Sequence, residues 1–165
     1  MKLIKIAFVI TFALVLSTSA SAVLIPLSAS MDGLQANAGL GTGSPGIGSA
    51  TITFDTGTSQ LSWSITWSGL IGTPTVMHFH GPALPNQNAG VQVGTGVAGP
   101  PVVGNAILNA IQQADLLAGL WYLNLHTDSF PGGEIRGQVI PEPSTFLLLA
   151  GGLGLLSATR RSKNH

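Results

Sequence analysis

No cysteine occurs in the 165 residues, and charge is scarce: Asp, Glu, Lys and Arg together make up 7% of the chain. Without cysteine there are no disulfides, so the domain this chain builds must be held by its hydrophobic core, with a metal ion as the remaining kind of staple. Clusters of Lys and Arg are missing from the interior, which excludes nucleic acid as a partner, because phosphate binding draws on clustered cations. Three catalytic signatures are also missing: there is no Ser-His-Asp motif, no H-E-x-x-H and no paired-carboxylate signature. What the chain has in excess is apolar sequence, 45% of its residues, and this points to segments that meet a membrane.

Those segments lie at the two ends. The start reads MKLIKIAFVITFALVLSTSASA, with Lys2 and Lys5 as a basic region, an apolar stretch from Ile6 to Leu16, and Ala20-Ser21-Ala22 as an A-x-A cleavage signature. Residues 1–22 are therefore expected to be a signal peptide cut by signal peptidase, its apolar core being shorter than the ~20 residues a permanent span needs. The far end reads PEPSTFLLLAGGLGLLSATRRSKNH: the triplet Pro141-Glu142-Pro143, an apolar segment at about 144–158, then a basic tail at 160–163 that includes Arg160 and Arg161. This stretch, 141–165, resembles the PEP-CTERM sorting signal of bacteria that make extracellular polysaccharide. The resemblance implies an exported protein, transiently anchored in the inner membrane with its basic tail on the cytoplasmic side, and cut by an exosortase. An ordinary short C-terminal anchor would also place the protein outside the cytoplasm. Between the two ends, residues 23–140 carry Asp32, Asp55, Asp115, Asp128 and Glu134 against the single base Arg136, a net charge of −4.

The middle reads as strands. TITF (51–54) and QLSWSITWSGL (60–70) flank a turn at 55–58, and in the second run Leu61, Trp63, Ile65 and Trp67 alternate with Ser62, Ser64, Thr66 and Ser68. Strict alternation is the mark of a half-buried antiparallel strand, so a hairpin is expected here, with both tryptophans in the core. Further strands are expected at 76–80, 121–126 and 134–140, separated by Gly and Pro. One helix is expected within NAILNAIQQADLLAG (105–119), with Ile107, Ala110, Ile111, Ala114 and Leu117 on its apolar face and Gly119 as its stop. The fold class that follows is mainly β, an antiparallel sandwich or Greek-key domain with one short helix, flanked by the signal peptide and a C-terminal apolar helix. Two G-x-G-x-x-G matches, starting at Gly41 and Gly94, are not nucleotide fingerprints: neither opens a helix, and Pro45 and Pro100 stand where one would begin.

The stretch TPTVMHFHGPALPNQ (73–87) places His78 and His80 one residue apart, hence on one face of a strand. MHFHGPA (77–83) together with ADLLAGLWYLNLHTDSFPGGEIRGQV (114–139) resembles the CHRD domain, a module found in chordin and in secreted bacterial proteins. The resemblance covers about 24–140 and implies a secreted β domain, in a family whose animal context is extracellular binding of signalling proteins and whose bacterial role is largely undefined; the partners expected for this chain are surface proteins or extracellular polysaccharide. The resemblance assigns a histidine pair to His78 and His80, a strand histidine to His126, and an E-x-R to Glu134 and Arg136.

On the strand at 121–126, Tyr122, Asn124 and His126 share a face, so the three histidines converge if the two strands are neighbours. Three imidazoles with an open position suit copper or zinc. Asp128 or Glu134 is the expected carboxylate to orient an imidazole, and Glu134 and Arg136 are expected to form an ion pair or to brace the turn before them. The other reading of the histidines is structural, as hydrogen-bonding caps of loop backbone.

A secreted metalloenzyme is the second functional reading, because H-x-H on a β-sandwich is similar to copper-zinc superoxide dismutases. Against that likeness, the chain has no cysteine for their disulfide and lacks the further histidines of a dinuclear site. A hydrolase is not excluded by spacing alone. No catalytic residue is assigned, and a binding or matrix role stands first.

Overall fold

The computed structural model describes residues 22–142, residue 98 excepted. Ala20, Pro143, Arg160, Arg161, residues 1–21 of the expected signal peptide and the expected apolar tail lie outside the described residues. Nine strands follow in the order β1 (Leu24–Asp32), β2 (Ile47–Asp55), β3 (Gln60–Ser68), β4 (Pro74–His80), β5 (Val91–Gly94), β6 (Val102–Ile107), β7 (Tyr122–Thr127), β8 (Ile135–Gln138) and β9 (Ile140–Pro141), with helix α1 (Ala110–Leu117) between β6 and β7. All ladders are antiparallel and join into one sheet of order β5-β4-β7-β8-β1-β2-β3-β6, with β9 pairing β1. The sheet folds over on itself and nearly closes, so that the halves β5-β4-β7-β8 and β1-β2-β3-β6 face each other. Trp63 of β3 meets Phe79 of β4 edge-on across the gap, with centroids 5.3 Å apart.

The expected hairpin is β2-β3, in continuous register from Ile47↔Ser68 to Asp55↔Gln60. Its turn is set by Asp55, whose carboxylate accepts the Gly57 N–H at 2.8 Å, the Asx geometry that favours Asp at a turn start. Ala50, Ile52 and Phe54 alternate into the core opposite Leu61, Trp63 and Ile65. Trp67 departs from expectation. It lies opposite Gly48 near the open end of the hairpin and is half-buried, packing against the rim of the core.

Two further expectations are corrected. The helix is only Ala110–Leu117, and its buried residue is Leu116, whereas Ile111 is 75% exposed. Ile107, expected on the helix, belongs to β6, because Asn109 ends the strand and caps the helix in a reciprocal box with Gln112. The strand expected at 134–140 is split into β8 and β9 at Val139, whose N–H turns away to the Trp121 carbonyl at 2.8 Å. β1, β5 and β6 were not expected at all.

Candidate metal centre

The site is built on the pairing of β4 with β7, in register Val76↔His126, His78↔Asn124 and His80↔Tyr122. Met77, Phe79, Leu123 and Leu125 point inward and are fully buried, which fixes the opposite parity and turns His78, His80, Asn124 and His126 to the outer face. One candidate ligand atom from each of His78, His80 and His126 lies within 4.8 Å of the other two. The ring centroids are 5.5 Å apart for His78 and His80, 5.4 Å for His78 and His126, and 6.0 Å for His80 and His126.

The hydrogen bonds of the rings decide which nitrogens remain available. His80 donates Nδ1–H to the Ala89 carbonyl at 3.0 Å, and His126 donates Nδ1–H to the Pro131 carbonyl at 2.8 Å, since a carbonyl can only accept. Each ring is then the tautomer with its Nε2 lone pair free. Among the described residues, His80 Nε2 and His78 Nδ1 are buried with no hydrogen-bond partner, while His126 Nε2 receives a long 3.3 Å contact from the Asn124 amide. A buried polar atom without a partner is costly, and unprotonated imidazole nitrogens are ligands that a divalent copper or zinc ion accepts. Burial, helped by the neighbouring His126, depresses the pKa of His78. At His80 burial outweighs the bond to Ala89 and again depresses the pKa, which favours the neutral, ligating ring.

Metal–nitrogen bonds of about 2.0–2.1 Å put tetrahedral ligand nitrogens roughly 3.4 Å apart. The present separations, all within 4.8 Å, exceed that by about 1.4 Å at most, a gap that small χ rotations at two rings would close.

The expected carboxylates play another part. Glu134, fully buried, accepts Ser44 Oγ–H at 2.6 Å, Ile71 N–H at 2.5 Å, Gly72 N–H at 3.0 Å and Thr127 Oγ1–H at 2.8 Å. Burial raises its pKa, but these four donors together outweigh burial and hold the carboxyl below its ordinary range. Asp128 accepts the Thr73 N–H at 2.8 Å, which lowers its pKa in the same way. Neither carboxylate reaches an imidazole: both are spent on the turn before β4, and the groups that orient the rings are the Ala89 and Pro131 carbonyls.

Arg136 does not pair with Glu134. Its guanidinium lies 3.4 Å over the Tyr122 ring and donates to Asn88 Oδ1 at 3.3 Å. Sequence reading could not find Ala89, Pro131 or Asn88, because a backbone carbonyl carries no residue signature and a loop asparagine is too common to single out.

A family model for the CHRD domain matches residues 27–139. The chain belongs to the CHRD family. The PEP-CTERM protein-sorting motif matches residues 139–163, so the CHRD domain passes into the sorting motif at Val139 without a linker. The motif marks an exported protein processed by exosortase. No curated protein and no solved structure matches the chain. Among the described residues, no helix is long and apolar enough to cross a membrane. Within the CHRD domain, the histidine face stands on the two strands that carry the MHFHGPA and WYLNLHT stretches, with the loops at 81–90 and 128–133 supplying the carbonyls around it.

Proposed function

We propose that this exported CHRD protein binds one copper or zinc ion through His78, His80 and His126 and acts at the cell surface or in the extracellular matrix as a binding protein. The reading rests on one observation: three imidazoles from two adjacent strands gather one nitrogen each within 4.8 Å, and two of those rings hold a buried nitrogen that nothing among the described residues satisfies. Structural histidines with buried rings are expected to find partners for their buried nitrogens. Here the loops take only the Nδ1–H of His80 and of His126.

Bound through Nδ1 of His78 and Nε2 of His80 and His126, the ion would keep an outward position open for a group from a surface protein or an acidic polymer. The sorting signal supplies the compartment for such a partner, with signal peptidase and exosortase acting during export and the inner membrane as a transient anchor.

The test is calorimetric titration of the mature domain with zinc and with cupric ion, wild type beside His126→Ala. One equivalent bound at micromolar affinity by wild type and lost in the variant supports the reading; absence of binding by wild type overturns it. Protons compete for the same lone pairs, so affinity falls as pH falls, and burial moves the share of that loss carried by His78 and His80 below the ordinary histidine value of about 6.5. The open position carries a second reading. If the loaded protein turns over superoxide or an ester, the metal is catalytic.

A further inference from the structure

Of the three imidazoles, His78 meets the other two rings at steep angles, 82° to His80 and 69° to His126. His80 alone is clamped by a parallel ring: its imidazole stacks on Tyr122 with centroids 5.0 Å apart and planes 7° from parallel. A parallel stack restrains ring rotation in a way that edge contacts do not. Tyr122 is itself covered by the planar guanidinium of Arg136, 3.4 Å from the ring centroid. His80, Tyr122 and Arg136 come from the neighbouring strands β4, β7 and β8, so the phenol in the middle strand has the imidazole on one side and the guanidinium on the other.

The loop at 81–90 closes over this three-layer stack with four contacts. The Ala89 carbonyl accepts from His80 Nδ1 at 3.0 Å and from the Tyr122 hydroxyl at 3.4 Å, the Ala89 N–H donates to the Tyr122 hydroxyl at 3.1 Å, and Asn88 accepts from Arg136 at 3.3 Å. Arg136 is 3% exposed, Tyr122 2% and His80 9%. Burying a guanidinium without a carboxylate works against folding, and among the described residues no acid pairs with Arg136, whose Nη2 is also left without a partner. A neutral side chain would fill this space at lower cost. What the guanidinium provides is a flat cationic cap for the face of Tyr122, which a flexible ammonium does not reproduce.

We infer that Arg136 and Tyr122 are positioning residues for the metal: they hold the His80 ring so that Nδ1–H faces Ala89 and Nε2 faces His78 and His126. Neither touches the ion. They act through His80 by fixing its tautomer and ring plane before the ion arrives, which removes part of the ordering that binding otherwise requires. The inference rests on the three-histidine reading above.

The experiment has two arms. In the first, metal-free wild type is examined by long-range nitrogen-proton NMR of its imidazoles, which needs no variant to fold: His80 should show a single ring environment protonated at Nδ1. Averaged nitrogen shifts or an Nε2–H ring at His80 overturn the inference.

In the second arm, zinc and cupric titrations and cupric EPR compare wild type with Tyr122→Phe, Tyr122→Leu, Arg136→Gln and Arg136→Lys, each first checked for folding by circular dichroism. Tyr122→Phe keeps the stack and should bind within about threefold of wild type. Tyr122→Leu and Arg136→Gln should lose about 10–100-fold in affinity, with broadened cupric spectra, the range expected when an orienting partner of a ligand is removed. Arg136→Lys should fail to rescue. Folded Arg136→Gln and Tyr122→Leu that bind with wild-type affinity and spectrum overturn the positioning role and leave the metal reading intact; a wild type that binds no ion overturns both.

Discussion

Replacing Glu134 by Gln changes no more than the charge and one oxygen, yet it should be among the most damaging single changes outside the core. The four donors arrive in pairs: Ser44 Oγ–H and Ile71 N–H on Oε1, Gly72 N–H and Thr127 Oγ1–H on Oε2. In Glu134→Gln an NH2 group must face one of these pairs whichever way the amide turns. A hydroxyl can rotate away, but a backbone N–H cannot, so at least one amide donor is stranded.

Losing one hydrogen bond to a charged acceptor costs about 1.5–3 kcal/mol, and the remaining bonds weaken when the charge goes. The expected loss is therefore about 2–3 kcal/mol in urea denaturation of the mature domain at neutral pH.

The acid limb gives a second check. The Glu134 pKa is lower in the folded state than in the unfolded chain, so the unfolded chain takes up the proton first as pH falls. The stabilisation is fully present above the unfolded value of about 4.3 and is lost as pH drops through the lower folded value. Glu134→Gln removes a titrating group, so the stability difference between wild type and variant should shrink in that window. A loss below about 0.5 kcal/mol at neutral pH, or a difference that stays constant down the acid limb, would refute this account.

Trp63→Ala should cost about 3–5 kcal/mol in the same assay, because the ring is 5% exposed, wedged against Phe79 and against the backbone of Gly104. Trp67→Ala, at the half-buried rim, should cost less than half of that, and equal losses would contradict the burial difference. Gly137→Ala should destabilise β8 against β1, since a Cβ there runs into the Ser30 carbonyl oxygen; a melting temperature unchanged from wild type would show that the two strands separate freely. Intact mass of protein recovered from the native envelope should lack residues 1–22 and the basic tail with Arg160 and Arg161, and their retention would count against export processing and sorting of the mature form.

Much of the fold was legible where the side-chain period was clean. The β2-β3 hairpin and the two faces of β7 follow from alternation alone, and the convergence of the histidines needed one further fact, that β4 and β7 are neighbours. β1 was hidden because Leu24–Leu27 continues the apolar character of the leader and Pro26 reads as a break, even though Leu27, Ala29 and Met31 all turn into the core. β6 was absorbed into the helix because Ile107 happens to fall at helical spacing from Ile111. The orienting carbonyls were not legible although they lie close in sequence to His80 and His126, since a backbone carbonyl carries no residue signature; the stack on Tyr122 was not, since His80, Tyr122 and Arg136 meet only through the pairing of β4, β7 and β8.

The short β9 strand has a geometric consequence. It runs antiparallel to β1 with Leu27↔Pro141 and Ser28↔Ile140, and Glu142 N–H reaches the Pro26 carbonyl at 3.0 Å. The beginning and the end of the folded domain therefore leave the sheet side by side, at the same pole. A tether at either terminus would hang the domain from the same point, so a domain held by one end alone would be oriented alike whichever end held it. The same proximity makes the domain a candidate for circular permutation: joining 23 to 142 by a few residues and reopening the chain in the exposed loop at 84–87 should preserve the sheet.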